Sequence, residues 1–293
     1  MKTGVSSYSF KDYLRGEVSI YDVIKKAKEI GYEEIEFVDF NRNLPENESI
    51  MEHAAKVREL CKETGIAISA YTCGADFING SGGDPAEEAR RVKGLVDITA
   101  ALGAKKMRHD ATYGGKNCKL TYMQAVDKIA PYIRDVTEYA ESKGVKTMTE
   151  NHGHFIQDSY RVEYLISKVD HPNYGVLIDI GNFICVDECP LQAVSRLAPL
   201  AFHVHAKDFK YKKSNGAAPP EGWGRSRGGN ALCGTIVGQG DMPVVQCLQL
   251  IKRAGYEGSL GLEFEGREEN IRGLVEGYSF LKKTLCEILS SEE

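Results

Sequence analysis

The sequence predicts a single (β/α)8 barrel spanning residues 1–293. Three observations point to it. Strand-like and helix-like runs alternate eight times from end to end. The length of 293 residues suits an architecture that uses about 250 residues as one unit. Four successive late strands stop abruptly on a metal-ligand type: Glu150, Asp179, His205 and Glu263. In a parallel barrel the C-terminal ends of the strands open onto one face, where active sites form.

The elements follow in order. Thr3–Tyr8 is the first strand. Ser19 is an N-cap with Asp22 at the capping-box position, and its helix stops before Gly31. Glu33–Asp39 is the second strand, with Ile35 and Phe37 alternating with Glu34 and Glu36. A helix over Ser49–Thr64 stops at Gly65, and Ile66–Tyr71 is the third strand. Asp84-Pro85 opens the next helix, with proline at a first position where a missing N–H costs nothing. That helix runs to Leu102 and Gly103. Ala104–His109 is the fourth strand, and a helix over Thr121–Lys143 ends at Gly144.

The last four strands read Val145-Lys-Thr-Met-Thr-Glu150, Tyr174-Gly-Val-Leu-Ile-Asp179, Ala201-Phe-His-Val-His205 and Gly258-Ser-Leu-Gly-Leu-Glu263. Helices over Ser159–Val169, Pro190–Leu197, Pro243–Ala254 and Glu268–Leu289 alternate with them. Crossovers between parallel strands are almost always right-handed, so eight such units close into a barrel. An open doubly wound sheet would want a glycine-rich phosphate loop after an early strand. Here Tyr8-Ser-Phe-Lys follows the first strand instead. One stretch breaks the rhythm: 211–241 is long, glycine-rich, and holds Pro219-Pro220 and the only tryptophan, Trp223. A loop of that length after the seventh strand is expected to be a lid.

Composition excludes several classes. A net charge of −5 and a pI near 5.9 argue against nucleic acid or an anionic membrane as partner. The N-terminus is too polar for a signal peptide, and no apolar run approaches the roughly 18 residues of a membrane helix. The eight cysteines (61, 73, 118, 185, 189, 233, 247, 286) form no CxxC pair. They are expected to be reduced thiols of a cytoplasmic protein.

A lone carboxylate after a strand is commonly a helix cap or a surface charge. Four consecutive strand ends with side chains on one face are a different matter. Glu150, Asp179, His205 and Glu263 are therefore expected to hold one divalent metal ion. Three carboxylates and one imidazole form a hard, anionic site suited to Mn²⁺, with Mg²⁺, Co²⁺ or Zn²⁺ as alternatives. Open coordination positions would let the ion act as a Lewis acid on a substrate carbonyl.

Residues two apart share a strand face, so His203 and Lys207 point inward with His205. His203, deeper, reads as a hydrogen-bonded core histidine, and Lys207, higher, as a ligand for a substrate oxygen. Asp208 points the other way, to orient a loop. His152, in Glu150-Asn-His-Gly-His154, is the acid/base candidate beside the metal, and His154 is a weaker one. His109 and Asn182 are candidate substrate-side residues, and Glu265 reads as a solvated charge beyond the strand end.

With these residues in place, the chain resembles the sugar isomerase/epimerase superfamily built on the xylose isomerase-like barrel. That superfamily includes ketose 3-epimerases, hydroxypyruvate isomerase, inosose dehydratase and, more distantly, endonuclease IV. The segments that carry the resemblance are Gly31-Tyr-Glu-Glu-Ile-Glu36, Glu150-Asn-His152, Asp179-Ile-Gly-Asn182, His203-Val-His-Ala-Lys-Asp208, Gly238-Gln-Gly-Asp241 and Gly261-Leu-Glu-Phe-Glu265. The resemblance implies that Glu150 and Glu263 both bind metal and move protons. One would remove a proton to give a metal-stabilised enediolate, and the other would return it. The ketose epimerases carry a histidine soon after the sixth-strand Asp and an arginine soon after the metal histidine. Here those regions read Ile180-Gly-Asn-Phe183 and Phe209-Lys-Tyr-Lys212. The extra ligands of endonuclease IV are absent.

The expected activity is isomerisation or epimerisation of a sugar or keto-sugar, with a small sugar or polyol as partner and a homo-oligomer as assembly. Two alternatives stay open at this point. One is a lyase, either an inosose-type dehydratase or an enzyme cleaving 3-keto-C-glycosides. The other is a sugar-binding barrel without catalysis.

Overall fold

A computed structural model describes residues 1–11, 13, 18–38, 40, 44, 46–114 and 119–290. The strands are β1 (Lys2–Ser6), β2 (Glu34–Val38), β3 (Ala67–Cys73), β4 (Lys106–His109), β5 (Lys146–Glu150), β6 (Tyr174–Asp179), β7 (Ala201–Ala206), β8 (Asp208–Lys212), β9 (Gly224–Arg225), β10 (Ala231–Thr235) and β11 (Ser259–Leu262). The helices are α1 (Ile20–Ile30), α2 (Ile50–Thr64), α3 (Pro85–Leu102), α4 (Tyr122–Ser142), α5 (Ser159–Val169), α6 (Pro190–Leu197), α7 (Val244–Arg253) and α8 (Asn270–Ser290). Eight strands close a barrel in the order β1-β11-β7-β6-β5-β4-β3-β2. Every neighbouring pair is parallel, with β11 against β1 completing the ring.

The helix ends show why these segments are helical. Ser19 and Asp22, Ser49 and Glu52, and Thr121 and Gln124 each form a reciprocal capping box. Asp84 accepts from Ala86 N and Glu87 N at the start of α3, with Pro85 in the first turn. Gly31, Gly65 and Gly103 end α1, α2 and α3 in the left-handed conformation that a side chain resists. The expected second strand ends on Asp39, which lies outside the described residues, as does Cys118.

The expected plain lid over 211–241 needs correction in its structure. β8, β10 and β9 make a separate antiparallel sheet, so eleven strands are present among the described residues rather than eight. The glycines and prolines between them signalled a loop and masked the short strands. Arg227 at the tip of this segment donates from Nη1 to Asp158 Oδ1 (2.7 Å) and from Nη2 to the His154 carbonyl. Asp187 accepts from Ser226 Oγ, Gly228 N and Asn230 Nδ2. The tip is thus tied to the loops that follow β5 and β6.

Two apolar regions hold the barrel. The larger lies between strands and helices, where Val5, Ile35, Phe37, Val57, Ile129, Val176 and Leu260 are fully buried. The smaller lies inside the barrel, where Ala70, Met148 and Leu177 pack together with Phe202. Truncating one of the large core residues costs about 3–5 kcal/mol. Above the inner cluster the barrel interior turns polar, and that change creates the site.

Candidate metal centre

β5, β6, β7 and β11 are consecutive neighbours in the ring. Asp179 and His205 stand opposite each other in register, and Gly261 pairs with His205 from the other side. Glu263 follows β11 by one residue and its N–H donates to Ala206 O at 3.0 Å. Strand alternation points Met148 and Glu150, Leu177 and Asp179, and His203 and His205 into the interior. In the first two pairs the apolar residue belongs to the inner cluster and the polar one caps it, and in the third both residues are polar.

One atom from each of Glu150, Asp179, His205 and Glu263 lies within 4.8 Å of the corresponding atoms of the other three. All but Glu263 are buried, and the side chain of Glu263 is 12% exposed. His205 Nδ1 is 3.6 Å from Glu263 Oε2 and 3.9 Å from Asp179 Oδ2. His205 Nδ1 has no hydrogen bond of normal geometry, and the two carboxylate oxygens meet the Lys207 ammonium. Buried polar atoms are almost always satisfied. Three carboxylates and a bare imidazole nitrogen facing a common point fit a divalent cation of hard character.

Glu36 of β2 supports this set from below. Its Oε2 is 2.6 Å from His205 Nε2 and 2.9 Å from His203 Nε2, with all three residues essentially inaccessible. Burial pushes the Glu36 carboxyl up, but the two imidazoles outweigh burial and hold it well below the usual carboxylate range.

Lys207 enters from above. Its Nζ is 2.5 Å from Glu263 Oε2, 3.2 Å from Asp179 Oδ2 and 3.4 Å from Glu265 Oε2. Burial opposes its charge, yet the carboxylates around it hold its pKa well above the ordinary lysine value. Asp179 is raised above its usual range, first by burial and then by Glu263 and Glu150, against the pull of Lys207.

A second charged cluster lies beside Glu150. Arg108 Nη2 is 2.8 Å from Glu150 Oε2 and 2.7 Å from Asp110 Oδ1. Asp110 Oδ1 is 3.1 Å from His152 Nδ1, and Tyr113 donates its hydroxyl to Asp110 Oδ2 at 2.6 Å. The His152 side chain is 44% exposed. Burial lowers its pKa, but the bond to Asp110 and the charge of Glu150 win, and the net shift is upward. Asp110 itself is held down to about 2: burial raises it, and Arg108 and His152 outweigh that.

These groups surround a cavity of about 300 Å³ at the C-terminal mouth of the barrel. Arg108, Glu150, His152, His205, Lys207 and Glu263 line it, with Tyr8 and Glu265 at its side. The cavity thus gathers Glu150, Glu263, His152, Lys207 and His205, and Asp179 lies directly beneath. Asn182 also belongs here: its Nδ2 donates to Glu150 Oε1 at 3.0 Å, and its Oδ1 accepts from Lys207 at 3.2 Å. It orients those two groups and is absent from the cavity wall.

His109 is placed elsewhere. It is fully buried, with its Nδ1 3.0 Å from Asp110 O and its ring between Phe77 and Tyr174. Alternation along β4 sends His109 toward the helices and its neighbour Arg108 into the cavity. His203 is a hydrogen-bonded interior histidine. Asp208 accepts backbone N–H groups from Phe209, Gly238, Gly240 and Met242, and so ties down the loop after β10. Glu265 turns toward Lys207 and the cavity rather than away into solvent.

Arg108, Asp110, Glu36 and Tyr8 are not among the site residues that the sequence singles out. The signal for Arg108 was its two-residue spacing from Lys106 on a strand whose apolar Met107 faces the helices. For Glu36 it was a carboxylate inside a strand that is otherwise buried on both faces.

Comparison with known proteins agrees with this architecture. A family model described as the xylose isomerase-like TIM barrel matches residues 24–284. An inosose dehydratase of Bacillus anthracis is 24% identical over 139 residues, which is 46% of this chain and 42% of that protein. The match spans less than half the length of that curated relative. A solved L-ribulose 3-epimerase superposes with a TM-score of 0.75 at 13% identity, covering 99% of this chain and 96% of the other. A solved IolI protein with a bound zinc atom superposes with a TM-score of 0.74 at 16% identity, covering 99% of each chain. At such identities the structural matches establish the fold alone.

Proposed function

The chain belongs to the xylose isomerase-like TIM barrel family, and from that premise we propose that it is a divalent-metal-dependent isomerase or epimerase of a sugar or keto-sugar. The family's members include epimerases and dehydratases. One observation carries the choice of chemistry: Glu150 and Glu263 both face the cavity while sharing one candidate metal site with Asp179 and His205.

Those four residues would hold the ion, with Mn²⁺ the first choice for three carboxylates and one imidazole. When bound, the ion supplies Lewis acidity to neighbouring carbonyl and hydroxyl oxygens of the substrate. Glu150 and Glu263 move the proton. One takes it from the carbon between carbonyl and hydroxyl, and the other delivers it from a different wall of the cavity. Return to the same carbon inverts it, and return to its neighbour isomerises the sugar. Arg108 and Asn182 fix the Glu150 carboxylate, each using one of its oxygens. Lys207 steadies Glu263 and presents an ammonium to a substrate oxygen. The segment 211–241 acts as the lid of this cavity, anchored through Arg227 and Asp187. The cysteines at 61, 185, 189, 233, 247 and 286 are free thiols, which supports a reducing, cytoplasmic setting.

A lyase reading has its own support. His152 is held by Asp110 with its ring open to the cavity, the arrangement of an acid that serves a leaving group. Incubation with Mn²⁺, free ketoses and 3-keto-glycosides in deuterated water tests both readings. The proposal expects deuterium in a recovered isomer or epimer, and its loss in the Glu150→Gln/Glu263→Gln double variant. Release of an aglycone or of water from the keto-sugars, without a recovered isomer, supports the lyase. Turnover by the double variant contradicts both.

A further inference from the structure

The geometry points to Glu36 as the positioning residue that makes His205 a metal ligand, an inference that rests on the metal site proposed above. A neutral imidazole carries its proton on one nitrogen and a lone pair on the other. Only the nitrogen with the lone pair binds a metal, and the partner of the other nitrogen decides which is which. Glu36 Oε2 sits 2.6 Å from His205 Nε2, so the proton belongs on Nε2. Nδ1 is then the nitrogen left for a metal, and it is the atom that faces Glu263 Oε2 at 3.6 Å and Asp179 Oδ2 at 3.9 Å.

The support is built from three strands. His203 donates from Nε2 to the same Glu36 oxygen at 2.9 Å, so that oxygen is pinned by two donors and cannot turn away. The two imidazoles meet edge to face, with centroids 5.3 Å apart and an interplanar angle of 75°. Room for the pair comes from Gly261, where a Cβ would stand 3.1 Å from His205 Cδ2 and 3.5 Å from His203 Nε2. Glu36 on β2 lies across the barrel from β7, and it is wholly buried. Its hydrogen-bond link to the candidate metal site runs through the His205 ring. Carboxylates in that place raise the basicity of a ligating imidazole, and their removal costs about 10–100-fold in metal affinity.

Two measurements test this. The first is the ¹⁵N spectrum of labelled histidines in the wild-type protein loaded with diamagnetic Zn²⁺. The inference expects His205 to meet the ion through Nδ1 and to keep its proton on Nε2, and a proton on Nδ1 would overturn it. The second is titration with Mn²⁺ alone. Glu36→Gln keeps shape and an acceptor oxygen but removes the charge. It should weaken Mn²⁺ binding by about 10–100-fold. A Glu36→Gln protein whose affinity equals that of the wild type overturns the inference even if its thermal midpoint falls, because that pattern belongs to a purely structural residue. Should Glu36→Gln fail to fold, the wild-type spectrum still decides. Wild type that binds no divalent ion overturns the metal site itself, an outcome distinct from equal binding by wild type and variant.

Discussion

Arg108 and Lys207 are the two buried cations of the cavity, and each is compensated by more than one carboxylate. Removing one partner of a buried ion pair is far costlier than replacing both, because a charge is stranded. Arg108→Met would strand Asp110 and Glu150. We expect it to destabilise the metal-free protein by about 3–5 kcal/mol, read by denaturant unfolding, whereas a loss below about 1 kcal/mol would place the pair in the solvent-screened class. The same residue shows where sequence reading runs out. Glu150, Asp179, His205 and Glu263 were legible because each is a ligand type at the end of an apolar run. At the end of this strand the sequence favours His109 over its neighbour Arg108, because an imidazole is the commoner acid, base or ligand. Only the direction of alternation distinguishes them, and a four-residue strand gives too little pattern to set it. Glu36 was hidden for a related reason: a glutamate alternating with Ile35 and Phe37 reads as a polar face, and nothing local says that this face lines the barrel.

Helices were the most legible elements, because their caps are local. Ser19 with Asp22, Pro85 after Asp84, and the glycines at 31, 65 and 103 all act within a turn of themselves. The strands of the small sheet were not legible, because β8 and β10 stabilise each other only after a loop of eighteen intervening residues has closed (213–230). The join between β3 and α3 shows how one side chain fixes an element. Glu88, in the first turn of α3, accepts from Asp76 N, Ser81 Oγ and Arg91. Burial raises its pKa, but these bonds, that of Arg91 first, bring it down to about 2. A folded-state pKa below the unfolded value means stability that is fully present above the ordinary glutamate range and lost as pH falls. Glu88→Ala should therefore lower stability at neutral pH by about 1–3 kcal/mol, through the unsatisfied donors it leaves. The gap between variant and wild type should close as pH falls from about 4.5 toward about 2. Parallel stability curves across that range would show that Glu88 contributes nothing through its charge.

Across the whole molecule, the barrel divides its labour by depth. Ala70, Met148, Leu177 and Phe202 fill the lower interior with apolar contacts, and Glu36 and His203 make the transition. The mouth concentrates carboxylates whose mutual repulsion a divalent cation would relieve. A ligand that binds only the folded state stabilises it in proportion to its saturation, by about 2.7 kcal/mol at 100 times its Kd. The cavity should therefore report its occupant through the stability of the entire barrel. The most direct measurement is Mn²⁺ titration of the purified protein with thermal unfolding as a second readout, repeated on His205→Ala and Glu150→Gln. The account predicts about one ion per chain, a rise in the unfolding midpoint with Mn²⁺ in the wild type, and loss of both in each variant. A wild-type protein that binds no divalent ion, or variants that bind as the wild type does, would contradict it.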